Sequence, residues 1–269
     1  MFVEIQNVKI YYELEGSGTP IILIHGHGES TYIWRFNIKK LAENFSVYAL
    51  DLKGFGKSEK PLDEDYSIST MSNLIINFMI ELHIEKAILV CHSFAGKIGI
   101  SAITNNNDRF LGLALLGSAV GKVDIWPAFK IMKNKKLGKA ALKRFNKAIA
   151  IRTLKRLHHK SYQITEEDIE KFLIIKENDG AINAFQSYFI DFLSEDEAYL
   201  KLLEKIQVPT LIIWGRDDEF ISYTHGELLN EKLKNSKFEI IENCGHNSSE
   251  DQPNIVNQLI IDTFQNVMK

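Results

Sequence analysis

Val90-Cys91-His92-Ser93-Phe94-Ala95-Gly96 is the stretch that decides the fold. The apolar run Ala87-Ile88-Leu89-Val90 that leads into it reads as a buried strand, and the apolar spacing from Phe94 to Thr104 predicts a helix. Ser93 therefore stands where a strand turns sharply into a helix. Such a turn strains its central residue and is tolerated only where the positions two before and two or three after are small. Cys91, Ala95 and Gly96 meet that requirement. Two readings of Ser93 fit: the N-cap of the helix, or a nucleophile raised at the tip of the turn.

Outward from this point, short β-branched runs alternate with helical patterns, as in βα units around a mostly parallel sheet. Val3-Glu4-Ile5 and Lys9 to Leu14 read as an opening pair of strands turned at Gln6-Asn7, followed by Ile21 to Ile24, Phe45 to Leu50, Ala87 to Val90 and Leu113 to Leu116. Their near-continuous apolar character suits strands covered on both faces. Helical spacing runs from Thr70 to Leu82. After Ala119 the strand signal stops until Thr210 to Trp214, then resumes at Phe238 to Ile241, and a helix from Ile255 to Val267 closes the chain. The interval 120–205 reads as helix throughout, an inserted lid on a core made of 1–119 and 206–269.

The chain has 269 residues, 45% hydrophobic and 25% charged, with five prolines and sixteen glycines, which excludes collagen and low-complexity classes. A chain of this length buries roughly 70–75% of its unfolded surface, so it needs no disulfide or structural metal. Cys91 and Cys244 are expected to be free thiols. Met1 to Gln6 shows no basic run followed by an apolar stretch, and no segment approaches the length of a membrane span, so a cytoplasmic location is the expectation. A net charge of −3 gives no push toward nucleic acid. Its distribution is uneven: thirteen basic residues between Lys122 and Lys160 face the single acid Asp124.

Four separated motifs resemble the α/β-hydrolase superfamily, of the lid-bearing kind. Ile24-His25-Gly26-His27-Gly28 is similar to its His-Gly turn after the third strand, and Asp51-Leu52-Lys53-Gly54-Phe55-Gly56-Lys57-Ser58 to its Asp-x-x-Gly-x-Gly-x-Ser loop. The Ser93 turn is the third, and Trp214-Gly215-Arg216-Asp217-Asp218 with Cys244-Gly245-His246 is the fourth. The resemblance covers 1–119 and 206–269 but does not extend convincingly to the lid. It implies an α/β-hydrolase fold, with about eight strands flanked by helices.

Carried over position by position, the resemblance implies Ser93 as nucleophile, His246 as general base and Asp218 as the acid that orients it. The family spacing from Gly215 selects Asp218 over its neighbour Asp217, which then reads as a solvated carboxylate. The chemistry needs this set: a serine hydroxyl is a poor nucleophile until an imidazole takes its proton, and the imidazole needs a carboxylate to fix its tautomer. The developing oxyanion then calls for the backbone amides of His27 and Phe94. The imidazoles of His25, His27 and His92 are not expected to take part directly; His25 is expected to hold its loop by hydrogen bonding, and 51–58 to shape the wall.

The resemblance thus implies a serine hydrolase of a small or medium, mostly apolar ester, lactone or thioester, working through an acyl-enzyme. A serine nucleophile argues against the dehalogenase and epoxide-hydrolase branches, which use aspartate, and Asn247 stands where hydroxynitrile lyases carry lysine. Carbon–carbon bond hydrolases and cofactor-free perhydrolases share the triad, and a ligand-binding or receptor-like protein with little turnover is the alternative of another class. Neither metal nor cofactor is implied. Cys-x-x-Cys and His-Glu-x-x-His are absent, and His158-His159, read as adjacent on a helix, point about 100° apart. Gly16-Ser17-Gly18 lies between strands and reads as a turn rather than a phosphate cradle.

Within the lid, Ile131-Met132, Leu137, Ala141-Leu142, Phe145, Ala148-Ile149, Leu154 and Leu157 recur at three- and four-residue spacing, so the cations occupy the other face of one or two amphipathic helices. That face is either simply solvated or a contact for an anionic membrane surface or an acidic carrier. The lid aromatics Trp126, Phe129, Phe145, Phe185, Tyr188, Phe189 and Phe192 are candidates for the pocket, though aromatics at helical spacing more often belong to the core.

Overall fold

The structure, a computed structural model, describes residues 1–118, 127–193 and 196–265. Its strands are β1 (Phe2–Ile5), β2 (Val8–Gly16), β3 (Pro20–Ile24), β4 (Ser46–Leu50), β5 (Ala87–His92), β6 (Phe110–Leu116), β7 (Thr210–Gly215) and β8 (Ser236–Ile241). They form one sheet in the order β1-β2-β4-β3-β5-β6-β7-β8. The first hairpin and the β2–β4 pair are antiparallel, and the other five pairings are parallel. Gln6 and Asn7 turn the hairpin with φ of 51° and 65°, the pair of positive values that a two-residue hairpin turn requires.

The helices are α1 (Ile38–Leu41), α2 (Ile68–Glu81), α3 (Ala95–Asn105), α4 (Lys135–Lys143), α5 (Lys147–Leu157), α6 (Glu166–Leu173), α7 (Asp179–Phe192), α8 (Asp196–Leu203), α9 (Thr224–Lys232), α10 (Ser248–Asp251) and α11 (Pro253–Phe264). The apolar runs of the central strands divide by alternation between two cores. Ile22, Ile24, Leu89, Cys91, Leu113 and Trp214 pack on the face that carries α2 and α3, whereas Ile21, Leu23, Ile88, Val90, Ala114 and Ile213 pack on the face closed by α1 and α11. A strand buried on both sides has no polar face, which is why these runs are continuous in sequence.

Between β6 and β7 every regular element among the described residues is helical, as the loss of strand signal predicts. The expected boundary near 119–120, Lys122, Asp124, Trp126 and Val267 lie outside the described residues, as does the side chain of Phe129. Lysines stand on the exposed faces of α4 and α5, opposite buried Leu142, Ala150 and Leu154. Lys143 pairs with Asp179 at 2.8 Å and Lys147 with Glu166 at 2.6 Å. No helix among the described residues is long and apolar enough to cross a membrane.

One sequence expectation is corrected here. His158 and His159 do not share a helix: α5 ends at Leu157, and His158 is its C-cap in extended backbone with φ −111° and ψ 155°. The cause is a buried polar seam that draws the chain out of the helix. His158 Nε2 lies 3.0 Å from Glu250 Oε2, and the His159 amide donates to Asp251 at 2.7 Å.

Arg35 completes that seam. Its guanidinium pairs with Glu250 through Nη1 and with Asp168 through Nη2 at 3.0 Å, while Nη2 also donates to Tyr162 Oη at 2.6 Å. Tyr32 Oη donates to Asp168 at 3.0 Å. The carboxylates are nearly dry, with side-chain exposures of 4% for Asp168 and 6% for Glu250. Removing the cation leaves the buried Asp168 without an ion-pair partner among the described residues and Glu250 with His158 alone, and breaking such a buried pair typically costs about 3–5 kcal/mol. Arg35→Ala is therefore expected to lower the unfolding free energy in urea by about 3 kcal/mol or more, and a loss below about 1 kcal/mol would show that the seam is solvated.

Candidate active site

Ser93 follows β5 and precedes α3 with φ of 53°, the left-handed region that a non-glycine residue seldom occupies. Its amide donates to Leu116 O at 2.7 Å, so the register of β5 on β6 fixes the turn. Of the small residues read from the sequence, Gly96 is sterically required, and Gly99, one turn further along α3, is required against Cys91. A Cβ on Gly96 would come within 2.5 Å of Ser118 Cβ, and one on Gly99 within 2.5 Å of Cys91 Sγ. Cys91 is wholly buried and burial pushes its thiol pKa up, which makes it a packing residue. Cys244 is buried likewise, and burial raises its thiol too.

The structure brings together the three residues predicted from separate stretches. His246 Nε2 lies 2.8 Å from Ser93 Oγ, and His246 Nδ1 lies 2.7 Å from Asp218 Oδ2. The carboxylate accepts from Nδ1–H, which leaves Nε2 free to accept from the serine hydroxyl. Asp218 is itself fixed, since Oδ1 accepts from the amides of Phe220 and Ile221 at 2.8 Å each. Side-chain exposures of 2% for His246 and 1% for Asp218 keep water off the relay. Asp217, by contrast, is 49% exposed and its nearest cation-forming partner is His159 at 3.9 Å. The choice between the neighbours is geometric as well as positional.

Three further histidines surround the site, and their hydrogen-bond partners set different protonation states. His25 Nε2 accepts from the Leu52 amide at 3.0 Å and Nδ1 contacts Gly26 O at 2.7 Å. One acceptor and one donor role suit a neutral ring, and burial lowers its pKa. His25 holds its loop as expected. His27 Nε2 donates to Phe185 O at 2.7 Å, its ring lies tilted against Phe185 with centroids 3.8 Å apart, and burial pushes its pKa down to about 4. The side chain of His27 thus ties the turn to α7.

His92 differs because both of its nitrogens face acceptors. Nδ1 lies 2.8 Å from Glu29 Oε2 and Nε2 lies 3.2 Å from His246 O. Both contacts are hydrogen bonds only if both nitrogens carry protons, which makes the ring an imidazolium. Burial opposes that charge, but the Glu29 carboxylate outweighs it and holds the His92 pKa above its usual value. Burial would raise Glu29 in turn, but His92 beside it holds it down to about 2. Glu29 Oε2 also accepts from the Gly26 amide at 2.9 Å. The pair therefore ties the His25–Gly28 turn to the strand end that carries Ser93.

Glu29 was not legible as a site residue. The only sequence signal is an acid three residues after Gly26, and its partner lies 63 positions away. The 51–58 loop, expected to shape the wall, contributes no lining residue to the cavity at Ser93; its Asp51 instead braces the turns beside it, accepting from the amides of Thr31 at 2.6 Å and Lys57 at 2.7 Å.

Above Ser93 lies a cavity of about 520 Å³ counting its open mouth, lined by His27, Glu29, Phe145, Leu157, Phe172, Phe185 and Phe220 together with His92, Ser93 and His246. Phe145 and Phe185 are thus pocket residues among the candidate aromatics. Tyr188 and Phe192 pack against Phe94 with centroids 5.0 and 5.2 Å away, and Phe189 lies against His27 at 5.7 Å. Among the described residues no acceptor is hydrogen-bonded to the amides of His27 or Phe94. They flank the turn at Ser93 and have donors to offer.

A family model described as the alpha/beta hydrolase fold matches residues 19–253. The chain is 28% identical over 277 residues to a soluble epoxide hydrolase of Corynebacterium sp. (strain C12), covering 96% of this chain and 93% of that protein. It is 26% identical over 252 residues to 2-hydroxy-6-oxo-6-(2'-aminophenyl)hexa-2,4-dienoic acid hydrolase of Metapseudomonas resinovorans, covering 91% and 83%. Among solved structures, an epoxide hydrolase without ligand superposes with a TM-score of 0.88 at 24% identity, covering 99% of this chain and 98% of that one.

The ion pair makes a pH prediction. A carboxylate held down to about 2 adds stability above its ordinary 4.5 and loses it as acid approaches pH 2. An imidazole held above 6.5 adds stability that is complete below that value and is lost as pH rises through its raised one. The unfolding free energy that Glu29→Gln removes is therefore expected to be greatest between pH 4.5 and 6.5 and to shrink on both sides. Urea unfolding of both proteins at about pH 3, 5.5 and 9 checks this, and a difference flat across all three would refute the pairing.

Proposed function

This chain belongs to the α/β-hydrolase fold family, and from that premise we propose that it is a serine hydrolase of a carboxylic ester, lactone or thioester, working through an acyl-enzyme at Ser93. The observation that carries this reading is the relay of Ser93 Oγ, His246 Nε2 and Nδ1, and Asp218 Oδ2 at 2.8 and 2.7 Å, with Ser93 held at φ 53°. The relatives are hydrolases, and the step at issue is which bond is cleaved.

In the proposed mechanism His246 Nε2 takes the Ser93 proton as Oγ attacks the carbonyl carbon. The oxyanion that forms is held by the amides of His27 and Phe94, each such donor being worth roughly 3–4 kcal/mol. His246 passes the proton to the leaving alkoxide or thiolate, and Asp218 stabilises the imidazolium throughout. Water, deprotonated by the same nitrogen, then releases the acid and restores the serine. The helices of 120–205 serve as the lid, with the core in 1–119 and 206–269; Phe145, Phe172 and Phe185 give an apolar acyl site. The buried, unbridged thiols of Cys91 and Cys244 suit the proposed cytoplasmic setting.

The chemistry separates this reading from those suggested by the relatives' names. A serine that opened an epoxide would be left as an alkyl ether, with no carbonyl for water to attack, so turnover would stop after one event. For a dienoic acid, the cavity offers no lysine or arginine among its described lining residues, and its His92 is already paired with Glu29. A substrate carboxylate would find no unpaired cation to meet it there.

Treatment with a fluorophosphonate followed by intact-mass measurement tests the reading: one adduct is expected on the wild type and none on Ser93→Ala. No adduct on folded wild type would overturn the activated serine. Asp218→Asn is expected to lower kcat on an activated ester by about 10⁴-fold, while Asp217→Asn stays within about tenfold. The reverse order would reassign the acid.

A further inference from the structure

Glu29 lines the catalytic cavity and two smaller hollows beside it, and one of its carboxylate oxygens is used by neither the fold nor the proposed relay. Glu29 Oε2 is committed to the Gly26 amide at 2.9 Å and to His92 at 2.8 Å, but no hydrogen bond among the described residues uses Oε1. The side chain is 11% exposed and lines the cavity beside Ser93 and His246. It is also close to the reacting serine. A Cβ built on Gly26 would lie 2.6 Å from Glu29 Oε2 and 3.1 Å from Ser93 Cβ, so carboxylate and nucleophile are separated by no more than those two lengths together.

The other polar groups of the wall are engaged. His27 Nε2 donates to Phe185 O at 2.7 Å, Thr153 Oγ1 gives its proton to Ile149 O at 3.0 Å, and both nitrogens of His92 have acceptors. The remaining wall is largely apolar, including Phe145, Leu157, Phe172, Ile175 and Phe220. Solvent reaches Oε1, and a substrate that displaces that solvent leaves the ionised oxygen unmet unless it brings a donor of its own. His92 compensates the net charge but does not reach Oε1.

We propose that Glu29 Oε1 is the specificity element of this hydrolase: it accepts a hydrogen bond from a hydroxyl or ammonium group that the substrate carries near its scissile carbonyl, and it rejects substrates with a carboxylate at that place. The assignment rests on the serine-hydrolase reading and narrows it to donor-bearing esters. A hydrogen bond to a charged partner in such a site corresponds to about tenfold or more in kcat/KM over an apolar isostere.

The decisive variant is Glu29→Gln. The amide oxygen can take over both contacts of Oε2, to Gly26 and to His92, while the amide nitrogen replaces Oε1 and turns an acceptor into a donor. The test uses the full-length protein and ethyl esters of matched size: butanoate, β-hydroxybutanoate, β-aminobutanoate and the half-ester of succinate. A parallel set of acetates carries the same four groups on the alcohol chain. In at least one set, a hydroxyl or ammonium member is expected to exceed the apolar one by about tenfold or more in kcat/KM, with the carboxylate member slowest. Comparison of the hydroxyl and ammonium members identifies which donor is taken. In Glu29→Gln the donor preference is expected to vanish and the carboxylate member to rise relative to the others.

Apolar esters that match or exceed the donor-bearing ones in both sets would overturn the assignment, and this arm needs only the wild type if the variant does not fold. An unchanged preference order in a folded Glu29→Gln protein would overturn it equally. Failure of the underlying reading looks different: a folded wild type that takes up no fluorophosphonate and cleaves no ester removes both. An enzyme that labels and cleaves esters but ignores the donor removes only the role of Glu29.

Discussion

Everything at this site depends on holding Ser93 in left-handed backbone at the end of β5. That conformation costs of order 1–3 kcal/mol and survives only because its surroundings over-determine it. The amide is bonded to Leu116 O, and Gly96 and Gly99 let α3 lie directly against Ser118 and Cys91. Gly117, at φ 56°, brings the end of β6 against the His246 ring, where a Cβ would stand 3.2 Å from Nδ1. The sheet order explains why these parts meet. β3 and β5 are neighbours with β4 beyond one and β6 beyond the other, so connections leave in opposite directions and open a crevice at the strand ends. The His25–Gly28 turn and the Ser93 turn both open into it.

The four histidines of the site show that partner geometry, rather than residue type, decides protonation. His25 faces one donor and one acceptor and is neutral, His27 is buried against a carbonyl, and His92 lies between two acceptors and takes a second proton. His246 lies between a carboxylate and a hydroxyl, the arrangement that lets one nitrogen accept while the other is oriented. An imidazolium on the residue next to the nucleophile would disturb the relay were it not paired, and Glu29 supplies the pairing. The fixed charge under Ser93 is therefore close to zero, and in the proposed mechanism the negative charge that develops meets amide donors.

The fold and the relay were readable in the sequence because each is encoded locally. Strands buried on both faces are continuous apolar runs and the elbow needs small residues at fixed offsets, while Asp218 is picked out by the resemblance, whose spacing from Gly215 it matches. What was not readable is encoded by pairing at long range. Glu29 acquires meaning only from His92, and His158 leaves its helix only because Glu250 and Asp251 attract the chain beyond it. The aromatics failed for another reason. Phe185, Tyr188, Phe189 and Phe192 follow one another along α7, and helical spacing alone cannot say that Phe185 lines the cavity while Tyr188 and Phe192 pack on Phe94.

The segment that carries the catalytic imidazole also anchors the helices above it. The Asn247 amide donates to Leu157 O at 2.9 Å, Glu250 binds His158 and Arg35, and Asp251 accepts from the amides of both His159 and Gly245 at 2.7 Å. Contact is so close that a Cβ on Gly245 would lie 2.7 Å from the backbone of His158 and His159. The end of α5 therefore cannot shift without pulling on the loop that positions His246. Leu157, at that end, also lines the cavity. The cavity wall at Leu157 and the loop that carries His246 are therefore held by the same stretch of six residues, 246–251, rather than through the sheet.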